Sequence, residues 1–391
     1  MKIKNLFLII VLSVIYGCTY FEVKDAINEA NKGNYLVSLE NLSTILKENN
    51  SNKKAIDAVE LIYPQAYKKY SDDILANREY DLKKYTQGMI NLLKTQELYF
   101  NLPETSKAQM NIIAPPLNKR NQLKKEIAKE FMILGKMVYI DNYISKLKAF
   151  GYLESANSYN IDNSITILNT YNEFKKRANG KFFIKLDTNI YPTIAFPLVD
   201  RIKATIVSYP LFTVSNYKDS NLIFTIDLSN LIYIPPNTQI ERGIDSYTDT
   251  QERIVMKKVI EKTTVDGKEI KIEKFIPVRE LEDVEVHYQY EKFTKTTSLQ
   301  IQLSYTLQEK SGNILFKGVH NINVTDKVTW NKYYPFPRFS SIDLFKVPIS
   351  ENEKYTISEN ELNKKLIMKL QNQIKEVFDS LYSNTTVNLD E

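Results

Sequence analysis

The apolar positions of this 391-residue chain change their period once, near Gly180, and the change divides the chain into two kinds of structure. From Phe21 to about Ala178 they recur every three to four residues, which predicts about five to seven helices. Ala26 and Ala30, then Gly33-Asn34-Tyr35, then Ser38, Leu39, Leu42, Ile45 and Leu46 describe two helices joined by a glycine turn. The run Asn49-Asn50-Ser51-Asn52 breaks the pattern before Ala55, and a second unit runs from Asn77-Arg78-Glu79-Tyr80 to Leu93. After the break at Ala114-Pro115-Pro116, Leu123, Ile127, Phe131, Leu134 and Val138 form one core-facing stripe. Ile161, Ile165, Leu168 and Phe174 form another.

Past Gly180 the period falls to two. Strands are predicted at Phe182–Leu186, Phe212–Val214 and Leu222–Ile226, with a short helix over Leu198–Val207. Asp266-Gly267 is a pair that readily takes the positive φ angles of a tight turn, so a hairpin is expected with arms from about Arg253 to about Val278. A second hairpin turns at Ser311-Gly312-Asn313. Its first arm sets Leu299, Ile301, Leu303, Tyr305 and Leu307 against Gln300, Gln302, Ser304, Thr306 and Gln308, one face for a core and one for water. Leu362, Leu366, Leu370, Ile374, Phe378 and Leu381 describe a closing helix whose apolar face would cover that sheet.

The first helical pair resembles a tetratricopeptide repeat (TPR), with Ser38 and Asn50 standing where that repeat usually has alanine and proline. Repeat units need about three copies to bury a continuous core, so a lone pair must lean on other helices. The order of elements after Gly180 resembles small α/β domains of periplasmic lipoproteins. The fold expected is therefore α+β: an N-terminal α-helical, TPR-like region over 18–178, then a mainly antiparallel β domain over 179–385 with a short helix and a closing C-terminal helix. Residues 386–391 remain as a tail.

Residues 1–17 stand apart from this pattern. Lys2 and Lys4 precede an apolar run from Leu6 to Ile15, too short for a lasting membrane span, and Gly17-Cys18 follows. The stretch Ile15-Tyr16-Gly17-Cys18 resembles the lipobox of bacterial lipoproteins, with Tyr16 where a small residue is usual. That resemblance implies removal of 1–17, diacylglycerol on the Cys18 thiol and palmitate-type acylation of the new N-terminus. With two or three chains the anchor would be stable, since one chain holds a protein to a bilayer only marginally. By the sorting pattern of such lipoproteins, Thr19 points to the outer membrane facing the periplasm.

Composition narrows the chemistry. The formal net charge is +5 with 52 basic and 47 acidic residues, too even a balance to suggest nucleic acid, which calls for basic charge gathered on one face. Cys18 is the only cysteine and there are two histidines, so a zinc site of the usual Cys/His kind is not expected, and no cofactor is. His320 falls on the face of Phe316, Ile322 and Val324 and reads as a hydrogen-bonded core residue. His287 falls with Glu285 and Gln289 and reads as exposed. Ser51-Asn52-Lys53-Lys54, Ser155-Ala156-Asn157 and Lys310-Ser311-Gly312 match, in order, the loose triplets of penicillin-binding proteins, which would make Ser51 a nucleophile, Lys54 its activator and Lys310 a carboxylate binder. The surroundings argue otherwise: Ser51 reads as a helix N-cap and Lys310-Ser311-Gly312 as a hairpin turn. No catalytic residue is expected.

The densest aromatic segment is Trp330, Tyr333, Tyr334, Phe336 and Phe339, with Pro335, Pro337 and Arg338. Aromatics and arginine are enriched at binding hot spots, but such a segment also serves to cap a sheet core, and both readings stand at this point. The concave side of the helical region is a second candidate surface. The function expected is a non-enzymatic, lipid-anchored envelope protein that binds partner proteins. Glycan or peptidoglycan binding comes second, and a penicillin-interactive serine enzyme a distant third.

Overall fold

A computed structural model describes residues 21–187, 191–265, 268–335 and 347–389. Cys18, Asp266-Gly267, Phe336, Arg338 and Phe339 lie outside these residues.

The helical region opens with α1, residues 21–31, and continues through α2 (Tyr35–Glu48), α3 (Lys53–Asn77), α4 (Leu82–Phe100), the single turn α5 (Glu104–Lys107), α6 (Leu117–Val138), α7 (Tyr143–Ser158) and α8 (Ile165–Ala178). Gly33 links α1 to α2 with φ +88°, a left-handed conformation that glycine adopts without steric cost. Asn52 caps α3 by accepting a bond from the Ala55 amide at 3.2 Å, so the cap falls one residue after Ser51, where the sequence pattern had placed it. Ala26, Ala30, Ser38, Leu39, Leu42, Ile45, Leu46 and Ala55 are all buried, as is the α6 stripe at Ile127, Phe131 and Leu134.

The α8 stripe is offset from the expected one. Ile161, Ile165 and Leu168 are exposed, while Ile167, Phe174 and Ala178 are buried with Tyr171 beside them. Positions 167, 171, 174 and 178 repeat at intervals of four, three and four, an unbroken helical face. Ile161 precedes the N-cap Ser164 and a left-handed turn at Asn163, so it cannot continue that face.

The second region holds β1 (Gly180–Leu186), α9 (Pro192–Val207), β2 (Phe212–Val214), β3 (Leu222–Val265), β4 (Lys268–Glu309), β5 (Ile314–Pro335) and α10 (Glu359–Tyr382). The sheet order is β2-β1-β3-β4-β5. β1 runs parallel to both neighbours, with α9 as the crossover that a parallel β1–β2 pair requires. α9 begins six residues ahead of the expected Leu198, with Pro192 at its first turn, where a missing N–H is harmless. The β3–β4 and β4–β5 pairs are antiparallel, and Gly312 makes the second turn with φ +100°.

One face of the sheet carries the core. Phe182, Phe212, Phe224, Leu228, Leu299 and Leu303 meet α9 at Ile194, Leu198 and Ile202, and meet the stripe of α10, all six residues of which are 0% exposed. The Phe378 ring stands edge-on to Phe182 at 5.3 Å and to Phe224 at 5.2 Å, an arrangement the ring quadrupole favours. A capping box between Ser358 and Glu361 starts α10.

Two features join the regions. Tyr143, Leu147 and Phe150 of α7 enter the sheet core, while Tyr152 and Ala156 of the same helix pack with Phe131 of α6. The chain end returns as well: within residues 386–389, Leu389 is buried and Val387 half-buried in the cluster that holds Met89, Ile90 and Phe131.

Candidate binding surface

The β3–β4 pair is far longer than the expected arms from Arg253 to Val278. It runs in one register from Asn237↔Thr296 to Val265↔Lys268, after two bulges flanking Asn230-Leu231 and Pro235-Pro236. The bulges accommodate prolines that an uninterrupted ladder would reject. Among the described residues, β5 accompanies β4 as far as Tyr288↔Pro335. Beyond that row a two-stranded ribbon continues for some twenty residues per strand, about 65 Å at the usual strand rise.

The aromatic segment sits where the third strand ends. Residues 330–335 belong to β5 rather than to a loop. Trp330 pairs with Phe293 and stacks on it at 5.0 Å with the rings nearly parallel, and it is 3% exposed. The Lys295 ammonium lies 5.8 Å from the Trp330 ring and pairs with Glu353 at 2.7 Å, closing that side. For Trp330 the capping role is therefore the one observed. Tyr333 meets Tyr288 edge-on at 5.5 Å on the opposite face, and its N–H donates to Ser350 Oγ. Tyr334 is exposed, and its hydroxyl donates to Glu291 Oε2 at 3.1 Å. The Glu291 carboxyl is held below its usual range by Arg242 and then by the Tyr334 hydroxyl. The Tyr288 phenol is pushed up by burial and by Asp245, which accepts its hydrogen.

The face that carries Trp330 and Phe293 is continuous with the core face under α10, and along the ribbon no described element packs over it. On it stand Leu281 (72% exposed), Ile254 (65%), Phe275 (60%), Met256 (56%) and Ile260 (55%). Fixed side-chain alternation puts all five on one side, since no register shift intervenes. Ion pairs reach diagonally across the strands, Arg253 to Glu282 at 3.1 Å and Arg279 to Glu252 at 3.3 Å, with Lys257–Glu280, Lys258–Glu273 and Lys274–Glu261 beyond. Each is exposed and contributes at most about 1 kcal/mol. Arg279–Glu252 and Lys258–Glu273 share the face of the apolar side chains and lie between them, while the other three pairs lie on the opposite face. The sequence does not mark this face cleanly, since Val255 and Val259 fall on the other parity and Lys258 on this one, and the length of the strands hides until their pairing is known.

The loosely matching triplets lie on unrelated elements. The Ser51 hydroxyl donates to Asn50 Oδ1 within its own loop. Lys310 donates to the Tyr217 and Lys218 carbonyls, and Ser155 and Asn157 lie in the last turn of α7. His320 is half-buried and stacked on Tyr305 at 5.7 Å, and His287 is half-exposed, 3.9 Å from Glu285. Among the described residues, no group of three or more His, Cys, Asp or Glu side chains is placed to hold a metal, and no helix is long and apolar enough to cross a membrane. The chain matches no protein-family model, no curated protein and no solved structure.

Proposed function

We propose that the protein is a lipid-anchored component of a bacterial cell envelope that works by binding partner proteins rather than by catalysis. Cys18 is the anchor in this reading, and a palmitate-type acylated N-terminus holds the folded body at the outer membrane, facing the periplasm. The observation that carries the reading is the cluster of exposed large apolar side chains toward the tip of the ribbon, Ile254, Met256, Ile260, Phe275 and Leu281, set on one face among the Arg279–Glu252 and Lys258–Glu273 ion pairs. Large apolar side chains left exposed together in this way, among charges, are a feature of protein-binding surfaces. An isolated two-stranded ribbon is only marginally stable in water, so a partner that covers it would also order it. Burial of Trp330 removes the side chain best suited to stack on a sugar and favours a protein partner over a glycan.

The experiment is photo-crosslinking in cells from position 275 or 281, read by mass spectrometry. Reproducible capture of an envelope protein is expected. Capture of nothing, or of peptidoglycan fragments, would count against the reading. The anchor is tested separately: Cys18→Ser should shift the protein from the membrane to the soluble fraction and abolish the lipid mass on the mature N-terminal peptide.

A further inference from the structure

The ribbon has two long edges, and they differ. Pro277 lies in mid-strand on β4 opposite Met256 with no register shift, the place proline takes when its missing N–H points away from the paired strand. The outer edge of β4 is thereby interrupted. The outer edge of β3 carries no proline from Asn237 to Val265, and among the described residues no strand pairs with it there.

Main-chain directions follow from the base of the sheet. The Tyr333 N–H donates outward to Ser350 and the Asn331 carbonyl accepts outward from the Glu351 N–H, so odd residues at that end of β5 point away from β4. Their partners Tyr290 and Lys292 on β4 must then bond to β3, and on β3 odd residues face β4 while even residues face the open edge. The open edge therefore offers the N–H and C=O groups of residues 252, 254, 256, 258, 260 and 262.

We propose that this edge pairs with the same edge of a second copy of the chain, antiparallel and centred on Lys257. Parity demands that even residues meet even residues, and the register centred on 257 satisfies it. In that register Arg253 of one copy faces Glu261 of the other, Glu252 faces Lys262, Ile254 faces Ile260 and Val255 faces Val259. Two-fold symmetry repeats each pair, giving opposite charges at both ends of the contact, apolar pairs inside them and Met256 facing Lys258 on either side of the centre. Sliding two residues one way sets Ile254 against Lys258 and Val255 against Lys257. Sliding two residues the other way sets Ile254 against Lys262 and Val255 against Glu261. The single like-charge contact is Lys257 with its own copy, and each of these lysines has Glu280 in its own chain; Arg253, Glu252 and Glu261 likewise have Glu282, Arg279 and Lys274, so the cross-copy pairs extend existing ion pairs into networks. The product is a four-stranded ribbon in which the marginal two-stranded one gains a neighbour. The pairing uses main-chain groups at the edge and leaves the apolar face open, so it does not depend on the identity of the partner protein.

The register fixes the test. Residue 257 would meet itself in a non-hydrogen-bonded pair with Cα atoms about 4.5 Å apart, within the range of about 4.4–6.8 Å that a disulfide spans. In purified full-length protein carrying Cys18→Ser, Lys257→Cys should form a disulfide-linked dimer under mild oxidation. Val255→Cys alone should not, whereas a mixture of Val255→Cys and Val259→Cys chains should form the mixed dimer. Circular dichroism matched to the parent confirms folding of each variant. Sedimentation over a concentration series should show self-association, weakened at least about tenfold by Glu252→Lys with Glu261→Lys, a loss of about 1.4 kcal/mol. Equal crosslinking from 255 and 257, no crosslinking from 257, or a monomer throughout the series would overturn the proposal.

Discussion

Replacing a helical glycine by alanine ordinarily stabilises a helix by up to about 1 kcal/mol, and Gly151 should reverse that sign. A Cβ there would run into the carbonyl oxygen of Thr385, backbone that cannot swing aside. Gly151→Ala should therefore lower stability by about 1–3 kcal/mol, as overpacking does, read as a fall in the denaturant midpoint. Trp330 makes the complementary case. Its density of aromatic neighbours was legible in the sequence, but its burial was not, because that depends on which face of β5 it occupies and on Phe293, thirty-seven positions away, lying opposite. Trp330→Ala should cost about 3–5 kcal/mol, the range for removing a large buried aromatic. A cost within about 0.5 kcal/mol would return the residue to the surface.

Among whole elements, the closing helix was the easiest to read. Its six apolar positions keep one face for about five turns and all are buried in the structure. α8 was harder. Its apolar residues fall on two overlapping faces, and only contact with α7 and α6 decides between them. Ile167→Ala or Phe174→Ala should lower the denaturant midpoint by the equivalent of about 2–5 kcal/mol, while Ile165→Ser and Leu168→Ser should stay within about 0.5 kcal/mol. The long strands failed to show for a different reason. Pro235-Pro236 reads as a stop, yet the chain absorbs it in a bulge and resumes pairing at Asn237. A single sequence reports turn chemistry well and strand length poorly, because length is set by the partner strand.

Across the whole molecule, α7 and the returned chain end bind the two regions, so they should unfold in one transition. Alkaline pH offers a second global test. Burial raises the phenol pKa values of Tyr63, Tyr143 and Tyr209 above the ordinary value near 10, and Tyr209 also donates to Asp379. The folded state thus holds these protons more tightly than the unfolded chain. Their contribution is complete below pH 10, and it declines as the pH rises past 10 towards the folded values, as the unfolded chain ionises first. Stability should fall steeply above about pH 10, and tyrosinate absorbance should show a fraction of phenols that ionise only on unfolding. The bulged, then perfectly regular pairing of β3 with β4 has one more consequence. Beyond Asn237 the ribbon is graduated like a ruler with a step of two residues. Deleting two residues from each arm should draw the tip in by about 7 Å and leave every outer side chain looking the same way. Deleting one from each should turn the outer portion over, so the reach of this arm can be altered only in even increments.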